Sequence, residues 1–431
     1  MRQNNSIKGD VQMHSATFKY FRSHLNAGVS CEALISQVLM NIDSQDARLG
    51  LFEFVANEEA LTAARALDEA PNLRSEFPLY GMPFAVKDII DVARMPTKFG
   101  CRAPIGYMAQ SDAAVVRKIK SLGAIIIGKT VTTELAFLEP SRTLNPCGTA
   151  YTPGGSSSGS AAVVSADLLP FAIGTQTGGS VIRPASYCGI FAIKPSFSLI
   201  DRFGVLSQSP ALDTVGFMAN SLEDLSEVID AFCPLNLTSP KNEPLKIGML
   251  HSGLISQADG YVLDILNTMQ LQNSDMITPV EENLKLDDCV SLRNDINNFE
   301  LNEKFSRLLN DHPEDISSHI HQAARAGRAV SNSDYFGALE AVVSLRDWFA
   351  GLFEKHDYLM MPSTIGEAPL GLSSTGSSIF NGPWTLMGFP VVNLPIFKGP
   401  NEMPVGIQLI GPQMSDQQLL FDARRFWTKL S

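Results

Sequence analysis

The chain has 431 residues, 45% of them apolar before its 32 glycines are counted and only 18% charged, which excludes a disordered tail protein and implies a large buried core. Its 33 basic and 45 acidic residues leave a net charge of −12. With no run of Lys or Arg, that argues against a surface tracking nucleic-acid phosphate or an anionic membrane. No stretch approaches the ~20 apolar residues that span a bilayer, and the first residues lack the apolar centre of a secretion signal. The six cysteines (31, 101, 147, 188, 233 and 289) form no CxxC, so a reducing cytoplasm is expected, without a disulfide framework or a zinc site.

Residues 1–75 read as helical. Ser15 is placed to cap a helix with Phe18, Phe21 and Leu25 on one face, and Ser30 a second with Leu34, Val38, Leu39 and Ile42 at helical spacing. Asn57, followed by Glu58 and Glu59, marks a third start, with acids at the positive end of the dipole. Over 79–250 the pattern changes. Short apolar runs at 84–86, 124–127, 171–173 and 190–193 alternate with helical stretches at 112–122 and 160–166. That is the rhythm of a buried, largely parallel sheet. Ser221 opens a helix with a capping pattern, and 245–250 reads as a strand. Residues 251–335 are the most polar and helical part, read as a cap or insertion without strand rhythm. Strand-like runs return in 340–431, at 358–361, 391–396 and 405–409. Sheet signals on both sides of 251–335 predict one discontinuous α/β domain over 1–431.

Two motif matches do not fit their surroundings. Gly123-Ala-Ile-Ile-Ile-Gly128-Lys129-Thr130 matches the phosphate-loop pattern GxxxxGK[ST], but that loop needs flexible backbone curled round phosphate after a strand. Here Ile125, Ile126 and Ile127 favour a strand themselves and a helix precedes them. A core strand ending in a Gly-Lys turn is the better reading. Gly155-Ser-Ser157-Ser-Gly159 matches the nucleophile elbow GxSxG, with His251, His312, His319, His321 and His356 downstream. The elbow is a tight strand-to-helix turn, whereas 145–154 holds two prolines and reads as loop. His319 and His321 point apart on a helix, with no carboxylate cluster of ligand spacing, so no metal site is expected.

A third pattern is a constellation. The Gly/Ser-dense run 154–160 is followed by Ser180 in Gly174-Thr-Gln-Thr-Gly-Gly-Ser180, and upstream Lys87 ends the apolar run of Gly81-Met-Pro-Phe-Ala-Val-Lys87. Gly178 and Gly179 offer successive N–H groups unhindered by Cβ atoms, the geometry of an oxyanion hole, with Ser180 at its lip. Ser156 lies in a second loop able to approach closely. Lys87, if buried and neutral, is a base. Each part alone reads as a turn, a linker or a surface lysine. Together they do not, because flexible linkers have no place between buried strands.

The run 148–195, GTAYTPGGSSSGSAAVVSADLLPFAIGTQTGGSVIRPASYCGIFAIKP, resembles the defining segment of the amidase signature family. GMPFAVKDIID around Lys87, LGAIIIGKTVTTELAF, ALDTVG at 211–216 and PVGIQLIGP at 404–412 are similar to its flanking motifs. The likeness covers roughly 15–250 and 340–425, and 251–335 carries no recognisable motif. It implies one α/β domain with a central mixed, twisted β-sheet covered by helices on both faces. It also implies a Ser–Ser–Lys triad: Ser180 as nucleophile, Ser156 as the bridging serine on a cis peptide, Lys87 as base. The oxyanion hole would be the N–H groups of Thr177, Gly178, Gly179 and Ser180, and no metal or cofactor is required. The implied activity is hydrolysis of a small carboxylic amide through a Ser acyl-enzyme. The A subunit of a glutamyl-tRNA amidotransferase, a glutaminase within a complex, and an acyltransferase are the alternatives. Gln176 stands where many relatives carry Asp, and Ile182, followed by Arg183, where many carry Arg. Gln176, Phe380 and Trp384 are candidate substrate contacts, the aromatics in a loop at 371–384 that would rim the pocket together with 251–335. The expected partner is a small-molecule amide, with no nucleic acid and no membrane. A homodimer is left open.

Overall fold

In the computed structural model, which describes residues 15–233, 243–280 and 286–430, helices α1 (Phe18–Asn26) and α2 (Cys31–Leu49) come first. Thr17 caps α1, accepting from the Tyr20 N–H, whereas Ser15 is taken up by the Asp167 carboxylate. Ser30 caps α2 through the Ala33 N–H. Phe18 meets Phe171 edge-on at 5.5 Å and so docks α1 on the sheet. Next come β1 (Phe52–Val55), α3 (Asn57–Asp68), β2 (Pro83–Lys87), the small pair β3 (Pro96–Thr97) and β4 (Tyr107–Met108), α4 (Ala114–Ser121) and β5 (Ile125–Thr130). The chain continues through α5 (Ser158–Ser165), β6 (Phe171–Gln176), α6 (Ile182–Tyr187), β7 (Phe191–Lys194), β8 (Thr214–Ala219) and α7 (Leu222–Asp230). The last part holds β9 (Ile247–Leu250), α8 (Gly260–Gln272), β10 (Ile277–Val280), α9 (Leu286–Asp311), α10 (Ser318–Ala329) and α11 (Asn332–Leu352). It closes with β11 (Tyr358–Pro362), α12 (Gly382–Met387), β12 (Val391–Lys398), β13 (Pro404–Ile410) and α13 (Asp416–Lys429).

Among the described residues, eleven strands form one sheet in the order β1-β5-β2-β6-β8-β7-β12-β13-β11-β9-β10. Every residue of β2, β5 and β6 is buried, which requires helices on both faces of the sheet there. The rhythm of 79–250 predicted a largely parallel arrangement. The parallel part is narrower: the trio β5-β2-β6, and a second trio β11-β9-β10. Strand β8 breaks the pattern by running antiparallel to both β6 and β7. It is fitted for that place by Gly216, opposite Gly174, where a Cβ would stand 2.7 Å from the Ile193 carbonyl oxygen. The result is a single α/β domain with a mixed sheet.

The segment 251–335 is helical except for β10, which pairs parallel with β9 at the sheet edge. Thr278 and Pro279 are exposed between buried Ile277 and Val280, so no alternation marked this strand in the sequence. Helix α9 lies against α10, α11 and α12. Strands β2 and β6 run side by side, Val86 beside Ile173, and end at Lys87 and Gln176 on one edge of the sheet. Crevices at the carboxyl ends of parallel strands are where such sheets hold ligands. Among the described residues no helix is long and apolar enough to cross a membrane.

Candidate active site

Lys87 is the last residue of β2 and is 0% exposed. Its Nζ donates to Ser156 Oγ at 2.6 Å and to Thr175 Oγ1 at 2.9 Å. Both partners are hydroxyls, so no direct ion pair holds its charge. Burial pushes its pKa down to about 7; Asp213 pulls upward, and Arg183 pushes further down. Ser156 follows a cis peptide bond from Gly155. Buried Arg183 donates Nε and Nη2 to the Gly155 carbonyl, at 3.2 and 2.6 Å. The Ser156 carbonyl accepts from the Thr133 N–H at 3.1 Å and from Thr132 Oγ1 at 3.2 Å. This peptide is therefore gripped from both sides.

Beyond β6 the chain turns through Thr177, Gly178, Gly179 and Ser180 into α6. Among the described residues, none of these four backbone N–H groups has an acceptor, which leaves them open to an anionic oxygen. Gln176 builds the turn. Its Oε1 accepts from the N–H groups of Val181 (2.9 Å) and Ile182 (3.0 Å), and its Nε2 donates to Thr385 Oγ1 at 2.9 Å. Thr385 Oγ1 in turn donates to the Gly178 carbonyl at 2.7 Å. Thr177 donates its hydroxyl to Asp213 Oδ1 at 2.6 Å, while Asp213 Oδ2 accepts from the N–H groups of Gln208 and Ser209 at 2.8 and 2.9 Å. Burial lifts the Asp213 carboxyl to about 6 against these hydrogen bonds. Ser180 is 8% exposed. Its carbonyl accepts from the Ser157 N–H at 3.4 Å, but its hydroxyl has no hydrogen bond to Ser156 in this structure.

Lys87, Ser156, Ser180 and the turn 177–180 thus meet at one edge of the sheet. The three candidate substrate contacts have other work. Gln176 spends both ends of its amide on the turn. Trp384 sits in the core, edge-on to Phe349 at 5.4 Å, with its indole N–H on Met361 Sδ at 3.2 Å, and Phe380 is equally buried. They brace the wall from behind and offer no free surface. Ser157, centre of the elbow match, is also locked: its Oγ donates to the Thr175 carbonyl and accepts from the Thr175 N–H, both at 3.2 Å. Lys129 of the phosphate-loop match lies in β5 and forms a buried ion pair with Asp88 at 2.9 Å. His319 meets Glu139 at 2.9 Å, while His321 meets the Pro313 carbonyl at 3.0 Å.

The sequence did not single out Thr175, Asp213, Thr385 or the inward face of α9. Asp213 lies within the ALDTVG run. On α9, Arg293, Asn297 and Glu300 recur at i, i+4 and i+7, a polar stripe on one helix face. Asn297 Oδ1 accepts from Gln208 Nε2 at 2.9 Å. Glu300 accepts from Ser209 Oγ, from the Ala211 N–H at 3.3 Å and from the Tyr335 hydroxyl at 2.7 Å. Helix α9 thereby clamps the loop that carries Asp213.

The amidase family model matches residues 33–258 and 271–420, running through most of the segment that carries no recognisable motif to the eye. The A subunit of the glutamyl-tRNA(Gln) amidotransferase of Methylacidiphilum infernorum (isolate V4) is 28% identical over 450 residues, covering 91% of this chain and 90% of that protein. A crystal structure of an amidase is similar with a TM-score of 0.83 at 25% identity, over 95% of this chain and 99% of that one. The peptide amidase of Stenotrophomonas maltophilia shares the fold, with a TM-score of 0.78 at 22% identity over 95% of each chain. Sheet, turn and family match span the same residues, and the chain belongs to the amidase signature family.

Proposed function

We propose that the chain is an amidohydrolase that cleaves the C–N bond of a small carboxylic amide through an acyl-enzyme on Ser180. The observation that carries this reading is the 2.6 Å contact of Lys87 Nζ with Ser156 Oγ, made by a lysine pushed down to about 7. An unshifted lysine would be neutral in roughly one molecule in 2,500 at pH 7, a handicap of ~4.6 kcal/mol. Burial removes most of it. Neutral Lys87 takes a proton from Ser156 as Ser156 takes one from Ser180, once bound substrate brings the two hydroxyls into contact. Ser180 Oγ attacks the carbonyl carbon, and the resulting oxyanion is received by the free N–H groups of residues 177–180. The relay runs back to protonate the leaving nitrogen as the C–N bond breaks. Water then attacks the acyl ester by the same route and frees the carboxylate.

The test is Ser180→Ala. Release of ammonia or amine from an amide panel is expected to fall at least about 10³-fold, with circular dichroism and melting unchanged. Mass spectrometry is expected to find an acyl adduct on the peptide bearing Ser180 in the wild type alone. Near-normal turnover by the variant would exclude Ser180 as nucleophile. The similarity to the catalytic chain of an amidotransferase favours a second reading, in which the same acyl-enzyme works inside a complex. Amide turnover by the purified chain alone supports the first reading. Turnover that appears only with added partner proteins supports the second.

A further inference from the structure

Arg293 is the residue of α9 that reaches the turn 177–180. Its Nη1 lies 2.6 Å from where a Cβ on Gly178 would stand, and its Cδ and Nε lie 3.1 and 3.2 Å from that position on Gly382. The guanidinium is wedged between the first residue of α12 and the oxyanion turn, and both neighbours are glycine. Covalent geometry puts Nη1 within about 5 Å of the Gly178 nitrogen. The side chain is half-buried, so a ligand can meet it. Among the described residues its one hydrogen bond goes to the side chain of adjacent Asn294, and no carboxylate pairs with it. Arg183 differs, because its guanidinium is saturated by the carbonyls of Gly155 and Gly376. Burial lowers Arg293 to about 10, and the two guanidinium groups repel each other. A guanidinium carries five donors in a fixed fork. Leaving most of them without acceptors in a half-buried place costs free energy that a ligand can recover.

We infer that Arg293 determines specificity by receiving a carboxylate on the substrate, so that the chain acts on short amides bearing an acid group one to three carbons from the amide carbonyl. This rests on the amidohydrolase reading above. The spacing follows from the site itself. The carbonyl oxygen sits on the N–H groups of the turn, the carboxylate sits on Arg293, and both reach the same Gly178. A bidentate guanidinium–carboxylate pair is among the stronger polar contacts. A neutral amide leaves that fork unpaired, which is the situation in which a polar site discriminates best.

The probes are succinamate and butyramide, which differ by a terminal carboxylate in place of a methyl. In the wild type, kcat/KM for succinamate is expected to exceed that for butyramide by about 100-fold, mostly through KM. Arg293→Gln is expected to bring that ratio near 1, and Arg293→Lys to leave it at about 10, since an ammonium keeps the charge but loses the fork. A wild-type ratio near 1 overturns the inference, and so does a ratio unchanged in Arg293→Gln. Should the Gln variant fail to fold, the wild-type and Lys ratios still decide. If the wild type hydrolyses neither probe, the amidohydrolase reading is in difficulty, and binding tests Arg293 separately. Calorimetry would compare succinamate on Ser180→Ala with succinamate on Ser180→Ala/Arg293→Gln. Binding at least tenfold weaker in the double variant upholds the acid subsite. Equal binding, or none to Ser180→Ala, overturns it.

Discussion

Lys87 concentrates the chemistry and its cost in one side chain. Folded it titrates at about 7, unfolded at ~10.4, so between those values the folded protein holds fewer protons. Its penalty on stability is full below about pH 7, fades as pH rises, and is gone above about pH 10. Lys87→Met is therefore expected to cut turnover by at least about 10³-fold, yet to stabilise the fold by on the order of 2 kcal/mol at pH 6.5. Urea unfolding at pH 6.5 and pH 10 checks this: the gain must shrink at the higher pH. Wild-type kcat/KM should climb through about pH 7, and Lys87→Arg should stay inactive at every pH, because guanidinium does not deprotonate. A profile flat from pH 6 to 10 with chemistry rate-limiting would remove Lys87 as the titrating base. Lys87, Ser156 and Ser180 were legible in sequence because a lysine ending an apolar run and serines among glycines are poor choices for a core. Thr175 was not, since a β-branched hydroxyl in a strand looks like any strand residue. Phe380 and Trp384 misled for the opposite reason: large aromatics in a glycine-rich loop looked available, and they are core.

Helix α9 shows how an element read as a peripheral insertion enters the site. Its Glu300 serves three donors on two segments, Ser209, Ala211 and Tyr335. Glu300→Ala would orphan them in a buried setting, at about 2–3 kcal/mol. The expected outcome is a lower urea midpoint, with turnover falling beyond what the unfolded fraction explains, because Asp213 loses its support. A variant of normal midpoint and activity would disprove the clamp. Elements with strong local signals were readable: the Ser30 and Ser221 caps and the triple isoleucine of β5 stand where the sequence put them. Strands β8 and β10 were not. One owes its place to a glycine that clears a neighbour's carbonyl, and the other is an edge strand with two exposed residues out of four. Both are fixed by tertiary neighbours, and no local propensity announces them.

The whole molecule depends on a sheet whose two parallel trios are joined by antiparallel strands. Phe171 ties its first half together, stacked on Phe84 at 5.4 Å and edge-on to Phe18. Phe171→Ala should cost about 3–5 kcal/mol and expose α1 to protease before the rest of the chain; limited proteolysis with N-terminal sequencing reads both. The α/β class was visible in the alternation of runs, while the strand order was not, since long crossovers leave no local trace. One brace of the oxyanion turn has a further consequence, in time. Thr385 holds the Gly178 carbonyl from 207 residues away along the chain. At ribosomal speed, about 5–20 residues per second, roughly 10–40 s pass between the synthesis of the nucleophile turn and that of its brace. The nascent polypeptide is expected to be born silent: chains stalled before Thr385 should release no ammonia from any amide, and activity should switch on only as the last strands join the sheet.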